Sequence, residues 1–198
     1  MIKFKESMIY FHKDHSIRWM SETVEFNKGW HPYREVSTKL GYETDMIDAI
    51  ESEHGIFVWS PVFSNVHVGW YYEEPQIIVD GESYPHTEAY FQSQKSLGTV
   101  GHKQAKEEIK KSQPIDSYYL GRNYLMRKDW DTIKGSVMKK GVREKFKDSK
   151  LRSILLDTAD YPIVQLKNCS TWGSGTDGKG ANLLGEILMD LRREIRSK

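Results

Sequence analysis

A carboxylate, a primary amide and an ammonium stand at positions 88, 92 and 95, in the run Thr87-Glu88-Ala89-Tyr90-Phe91-Gln92-Ser93-Gln94-Lys95. On a helix this spacing makes one stripe over two turns, with Glu88 and Lys95 about 10 Å apart along the axis. Such a stripe can reach two parts of one ligand, a sugar carbon at one end and a phosphate at the other. Hydrolysis at a sugar carbon builds positive charge there, and a carboxylate beside that carbon stabilises the cation or activates water. The competing reading is a solvated surface carboxylate, with Lys95 a favourable charge at the helix C-terminus.

The second chemistry-bearing stretch is Trp172-Gly173-Ser174-Gly175-Thr176-Asp177-Gly178-Lys179-Gly180-Ala181-Asn182, which runs into an amphipathic segment. A glycine-rich loop that delivers N–H groups at a helix start suits an anion, typically a phosphate. Gly173 to Gly178 spells a literal G-x-G-x-x-G. The residues after it build a helix, however, and no further strand carries the ribose-binding acid of a dinucleotide fold. A Walker loop is excluded because Lys179 is followed by Gly180. What remains is a phosphate met by backbone donors and Lys179, against the alternative of a tight glycine-rich turn. Arg122, after Gly121, is either a phosphate fork or a surface pair. Trp130 is either core or an aromatic wall that stacks a base or excludes water.

The seven histidines show no zinc spacing, so neither a metal nor a cofactor is expected. Cys169, the lone cysteine, cannot form a disulfide within the chain and reads as a small hydrophobe rather than a nucleophile. The basic residues Lys139, Lys140, Arg143, Lys145 and Lys147 read as a solvated helix face.

These residues need elements to hold them. Met8 to Phe11, Ile56 to Trp59, Gln76 to Asp80 and Pro162 to Leu166 read as strands. Thr44 to Glu53 reads as a short helix, with Met46, Ile47 and Ile50 inward and Gly55 as its stop. Further helices are expected from Thr87 to Gly98, from Val100 to Lys111, briefly from Ile115 to Leu120, and from Leu151 to Leu156. A long helix capped by Asp129 carries the stripe Ile133, Val137, Met138, Val142 and Phe146. A C-terminal helix carries Leu184, Leu188, Leu191 and Ile195, with Asp190 and Arg193 paired three apart. The fold class is α+β, a mostly helical single domain with a small sheet.

Hydrophobic residues make up 38% of the chain and charged residues 29%, enough for a core and an ordinary surface. The net charge of +1 gives no global drive toward nucleic acid. No stretch has the length of a signal peptide or membrane span, so the expected location is the cytoplasm. Residues 1–55 differ in texture and read as an N-terminal extension or insertion packed on the core, with residues 56–198 as the main domain.

In order, the chain carries Phe63-Ser64-Asn65, Val79-Asp80-Gly81, Tyr84-Pro85, Glu88 to Lys95, and Leu120-Gly121-Arg122. Asp129-Trp130-Asp131, Val137-Met138, Lys145-Phe146, Trp172-Gly173-Ser174-Gly175, Asp177-Gly178-Lys179-Gly180 and Asn182-Leu183-Leu184-Gly185 follow. In these blocks it resembles the NADAR, or YbiA-like, family over roughly residues 56–195. The resemblance implies hydrolysis of an N-glycosidic bond. The implied substrates are ADP-ribose attached to guanine or a ribosylaminopyrimidine phosphate intermediate of riboflavin synthesis. A NAD or ADP-ribose receptor without turnover is the non-enzymatic rival. The implied catalytic residues are Glu88 and Trp130. The implied substrate contacts are Ser64, Asn65, Lys95, Arg122, Trp172, Gly173, Gly175, Asp177, Gly178, Lys179, Gly180 and Asn182. Where the family carries an aspartate shortly before the Trp-Gly pair, this chain has Cys169, with Asp177 and Asp131 as the carboxylates available in its place.

Overall fold

Asp80 and Gly81 both adopt positive φ, 53° and 79°, which closes a two-residue turn of the kind that matches strand twist. The turn joins β6 (Ile77–Val79) and β7 (Glu82–Tyr84) into an antiparallel hairpin, with Ile77 opposite Tyr84 and Val79 opposite Glu82. The Asp-Gly pair signals this hairpin in the sequence, yet only its first strand is expected there. Strand alternation sends Ile77 and Val79 inward and leaves Ile78 exposed.

The protein is described here from a computed structural model, over residues 9–12, 16–19, 22–25, 48–52, 55–59, 77–112, 114–158, 163–165, 169–173, 175 and 179–198. It divides into two compact units, Asn65–Asp148 and a second made of Met1–Ser64 with Ser149–Lys198. The fold class is α+β and mostly helical. No described helix is long and apolar enough to cross a membrane.

In the unit Asn65–Asp148 the hairpin leads to α1 (Thr87–Gln94), followed by α2 (His102–Lys111), α3 (Pro114–Leu120) and α4 (Trp130–Lys145). Every residue of α1 from Thr87 to Ser93 is buried, so this is a central helix rather than an amphipathic one. Ala89 packs with Ala105 and Ile109 of α2. On another side Tyr90 joins Ile77, Val79 and Tyr84, and Val137 of α4 packs against that cluster. Two ion pairs fasten the hairpin: Lys106 to Glu82 and Lys140 to Asp80, each at 2.6 Å. α1 ends at Gln94 rather than Gly98, with turns after it, and α2 starts at His102 because Gly101 takes the left-handed conformation. Asp129 precedes α4 but its side chain caps no amide; both its oxygens are held by Arg127, at 2.6 and 2.9 Å. The long helix thus begins where expected, by a different device. Met138, Val142 and Phe146 are buried, as the stripe requires.

The strands of the other unit are β1 (Ile9–His12), β2 (Ser16–Trp19), β3 (Glu22–Glu25), β4 (Asp48–Ser52), β5 (Gly55–Trp59) and β8 (Ile163–Gln165). Four of them form one sheet in the order β4-β5-β1-β8. β1 runs parallel to both β5 and β8, and β4 is antiparallel to β5, with Ile50 opposite Phe57. β2 and β3 form a separate antiparallel pair. The helix expected from Thr44 to Glu53 is therefore a strand over 48–52; residues 44–47 lie outside the described residues. Gly55 opens β5 rather than stopping a helix. Over so short a run, apolar residues three apart fit either element, and a non-local partner decides.

α5 (Ser149–Asp157) and α6 (Leu183–Arg196) complete this unit. Leu184, Leu188 and Leu191 are buried, and Asp190 pairs with Arg193 as the spacing predicts. Arg192 is buried, and its guanidinium donates to the hydroxyl and carbonyl of Thr158 at 2.6 and 3.3 Å. α6 lies against β8 at Gly185, where a Cβ would overlap the carbonyl oxygen of Ile163 and the side-chain amide of Asn182. Alanine raises helix propensity by about 1 kcal/mol, but here it meets rigid backbone. Gly185→Ala is expected to lower stability by about 2 kcal/mol, measured by denaturant unfolding; an unchanged midpoint would refute the close approach.

Candidate active site

Glu88 is the second residue of α1, and only 5% of its surface is exposed. A carboxylate so far out of water needs donors. The amide of Gln92, one turn on, supplies one: its Nε2 donates to Glu88 Oε1 at 2.6 Å. Lys95 is the C-cap of the same helix, half-buried, with its ammonium 5.8 Å from the Phe91 ring centroid. Burial lowers the pKa of Lys95 most; the Glu88 charge opposes this and the Arg122 charge adds to it. Glu88, Lys95 and Arg122 therefore share one electrostatic neighbourhood. The stripe expected from spacing alone is present, with Glu88 and Gln92 buried and Lys95 half-buried.

Trp130 opens α4 and is 4% exposed, packed on Phe91 at 4.8 Å between centroids with a 56° tilt. The two rings, both buried, form an apolar flank on α1. The loop that carries Arg122 is tied back to α1 by Arg127, whose N–H donates to the Lys95 carbonyl at 2.7 Å. Arg122 itself is exposed, its guanidinium 4.5 Å from the centroid of Tyr118.

The N-cap of α1 is His86, fully buried, with backbone extended at φ −167°. Its Nδ1 accepts from the Ala89 N–H at 3.1 Å, so the neutral ring carries its proton on Nε2. Burial, helped by the positive charge of Lys145, depresses its pKa from 6.5 to about 4. Lys145, also fully buried, is held well below the usual lysine range by desolvation.

The expected loop residues lie in the other unit. Gly173 and Gly175 are buried, Trp172 and Gly180 half-buried, and Lys179 exposed. The amides that precede and open α6 are already paired. Ala181, Asn182, Leu183 and Leu184 donate to the carbonyls of Ser170, Gly173, Thr171 and Trp172 at 2.7 to 3.2 Å. This corrects the expectation of free N–H groups at the helix start: the chain folds back on itself and its own carbonyls occupy them. Asn182, at φ 49°, clamps β8, accepting from the Gln165 N–H at 2.9 Å and donating to the Ile163 carbonyl at 2.8 Å. Cys169 is half-exposed, and its carbonyl accepts from the Gly173 N–H at 3.0 Å. Ser64, Asn65, Asp177 and Gly178 lie outside the described residues. No group of three metal-ligating side chains occurs among the described residues.

The stripe thus combines a buried carboxylate and a partly desolvated lysine on one helix, with Phe91 of that helix packed on Trp130. The NADAR domain model matches residues 57–196. The chain belongs to the NADAR family. It is 41% identical over 124 residues to N-glycosidase YbiA of Shigella boydii serotype 4 (strain Sb227), spanning 60% of this chain and 75% of that protein. The NMR structure of the Escherichia coli protein YbiA aligns with a TM-score of 0.59 at 37% identity, covering 69% of this chain and 78% of that one. Riboflavin biosynthesis protein VVA0006 of Vibrio vulnificus (strain YJ016) is 34% identical over 124 residues, 61% of this chain and 33% of that protein. These matches place the NADAR chain among hydrolases of N-glycosyl bonds.

Two contributors to the site are not assigned by sequence reasoning. Phe91 lies in the quoted motif, but its role as the face for Trp130 depends on where α4 starts. Gln92 is on the stripe at the i, i+4 position from Glu88, a spacing that could have identified the hydrogen bond.

The depressed pKa of His86 fixes a pH dependence. Its folded pKa lies below its unfolded value, so the unfolded chain binds the extra proton between them. The stabilisation from keeping the ring neutral is present in full above pH 6.5 and lost as pH falls toward 4. The loss is about 3 kcal/mol across that window. His86→Asn keeps a capping acceptor without a titrating ring. Denaturation at several pH values should show the wild type losing about 3 kcal/mol more than His86→Asn between pH 6.5 and 4; parallel profiles would contradict this.

Proposed function

We propose that the chain hydrolyses the N-ribosyl bond of a phosphorylated, nucleotide-like substrate, with Glu88 as the catalytic carboxylate. The observation that carries this reading is a glutamate held inside a central helix by Gln92 and electrostatically coupled to Lys95. As the bond between ribose C1′ and the base nitrogen breaks, its electron pair leaves with the base and C1′ becomes cationic. Glu88 stabilises that charge or accepts a proton from the water that attacks C1′. Trp130, nearly covered by its packing on Phe91, serves as a wall that keeps bulk water from the reaction rather than as an open stacking face.

Lys95 and Arg122 take the substrate phosphate in this reading. Lys179, Gly180 and the other loop residues from Trp172 to Asn182 are a further phosphate contact. With the amides of residues 181–184 spent on carbonyls, the loop's contribution falls to its earlier residues and to the Lys179 ammonium. Ser64 and Asn65 complete the proposed substrate contacts.

Among substrates, ADP-ribose linked to guanine in a nucleoside or nucleic acid is our first choice, because residues 1–55 lie beyond the family match and allow a larger partner. A ribosylaminopyrimidine phosphate is the second, favoured by the relative named a riboflavin biosynthesis protein. Cys169 favours a third, an ADP-ribose receptor without turnover. Pure protein incubated with each compound separates the three: released base with ADP-ribose or ribose phosphate identifies an enzyme and its substrate, and retention without release identifies a receptor. Glu88→Gln should fold, keep binding and lose about 10³-fold in kcat. Hydrolysis by Glu88→Gln at the wild-type rate would reject the assignment.

A further inference from the structure

We propose that Gln92 and Gly121 are a positioning pair for Glu88: the Gln92 amide fixes the carboxylate, and Gly121 fixes the amide. The inference rests on the reading of Glu88 as the catalytic carboxylate. Gln92 is 2% exposed, and its Nε2 donates to Glu88 Oε1 at 2.6 Å. The other end of the amide points at Gly121. A Cβ at position 121 would lie 2.9 Å from both Cβ and Cδ of Gln92 and would overlap its Oε1. The amide oxygen thus fills the space that any side chain at 121 would need. Gly121 is itself anchored, its N–H donating at 3.0 Å to the carbonyl of Ser117, a fully buried residue of α3.

The orientation of the amide has a cost that packing alone would not accept. Among the described residues Gln92 Oε1 has no hydrogen-bond partner. A buried unpaired acceptor is unfavourable, and an apolar side chain of the same shape would avoid it. Exchanging the two ends of the amide would aim an oxygen at the carboxylate, setting acceptor against acceptor. Gln92 therefore holds the arrangement that suits an ionised Glu88 at the expense of its own oxygen. It touches the catalytic group and not the substrate, which makes it a positioning residue. Gly121 acts one step further out, in a segment where it reads only as a helix stop.

Gln92→Met keeps length and approximate volume and removes the donor. In steady-state hydrolysis of ADP-ribosylated guanosine and of the ribosylaminopyrimidine phosphate, kcat should fall 10- to 100-fold with KM within twofold, and the melting temperature should fall because the buried carboxylate loses a donor. Gly121→Ala should lower both kcat and the melting temperature. In the double variant Gln92→Ser with Gly121→Ala the overlap with Cδ and Oε1 is gone and only the 2.9 Å approach to the Cβ of residue 92 remains, so the melting temperature recovers in part and kcat does not. A substrate-independent readout comes from 13C-labelled glutamate. The Glu88 carboxyl resonance, assigned by its loss in Glu88→Gln, should move in Gln92→Met and in Gly121→Ala. Wild-type kcat or an unmoved resonance in Gln92→Met overturns the proposal, as does recovery of kcat with stability in the double variant. Activity in Glu88→Gln rejects the underlying assignment instead, whereas an inactive Glu88→Gln beside a fully active Gln92→Met rejects only the positioning pair.

Discussion

A carboxylate removed from water is the constraint around which the unit Asn65–Asp148 is arranged. Transfer of an ionised carboxylate into a protein interior is strongly unfavourable unless donors and opposite charge accompany it. Glu88 has both on its own helix, a 2.6 Å bond from Gln92 and the field of Lys95. Both come from α1, at four and seven residues' distance. The other elements cover α1 and exclude water.

That covering explains several features that look unrelated along the chain. The Asp80-Gly81 turn folds Ile77, Val79 and Tyr84 onto Tyr90, while α2 sets Ala105 and Ile109 against Ala89. Small residues on one side and aromatic rings on the other let three helices and a hairpin approach a single short helix. Tyr90, enclosed by this packing, has its hydroxyl pKa raised to about 12 by burial first and by the Asp80 charge second, which marks a dry environment. His86 and Lys145, both pushed toward neutrality by burial, report the same dryness at the N-terminal end of α1.

What the sequence makes legible is what depends on local spacing. The helix over 130–145, the C-terminal helix and its Asp190–Arg193 pair, and the carboxylate stripe of α1 all follow from i, i+3 and i, i+4 relations. What escapes depends on a partner elsewhere in the chain. Residues 48–52 become a strand because β5 offers an edge. The amides before and at the start of α6 look free in the sequence, and only the path of residues 170–173 brings carbonyls to them. Gly121 looks like punctuation, and its reason lies in the amide of Gln92. Asp129 shows a third kind of failure: the residue suits a helix cap, but Arg127 two positions earlier competes for it and prevails.

The charge balance around the stripe bears on the phosphorylated substrate proposed for it. The Arg122 charge disfavours that of Lys95, and the Glu88 carboxylate that favours it is bonded to Gln92. Among the described residues, the two cations Lys95 and Arg122 outnumber Glu88 in this neighbourhood. A neutral sugar would bring nothing to meet that surplus. A phosphoryl group would relieve the repulsion between the two cations. It would also lie at the end of the stripe away from Glu88, a separation of about two helical turns that matches a substrate whose reacting carbon and charged tail are different parts of one molecule. In the proposed reaction the same geometry would keep the phosphate from quenching Glu88 by like-charge repulsion, with binding and bond cleavage at opposite ends of one helix.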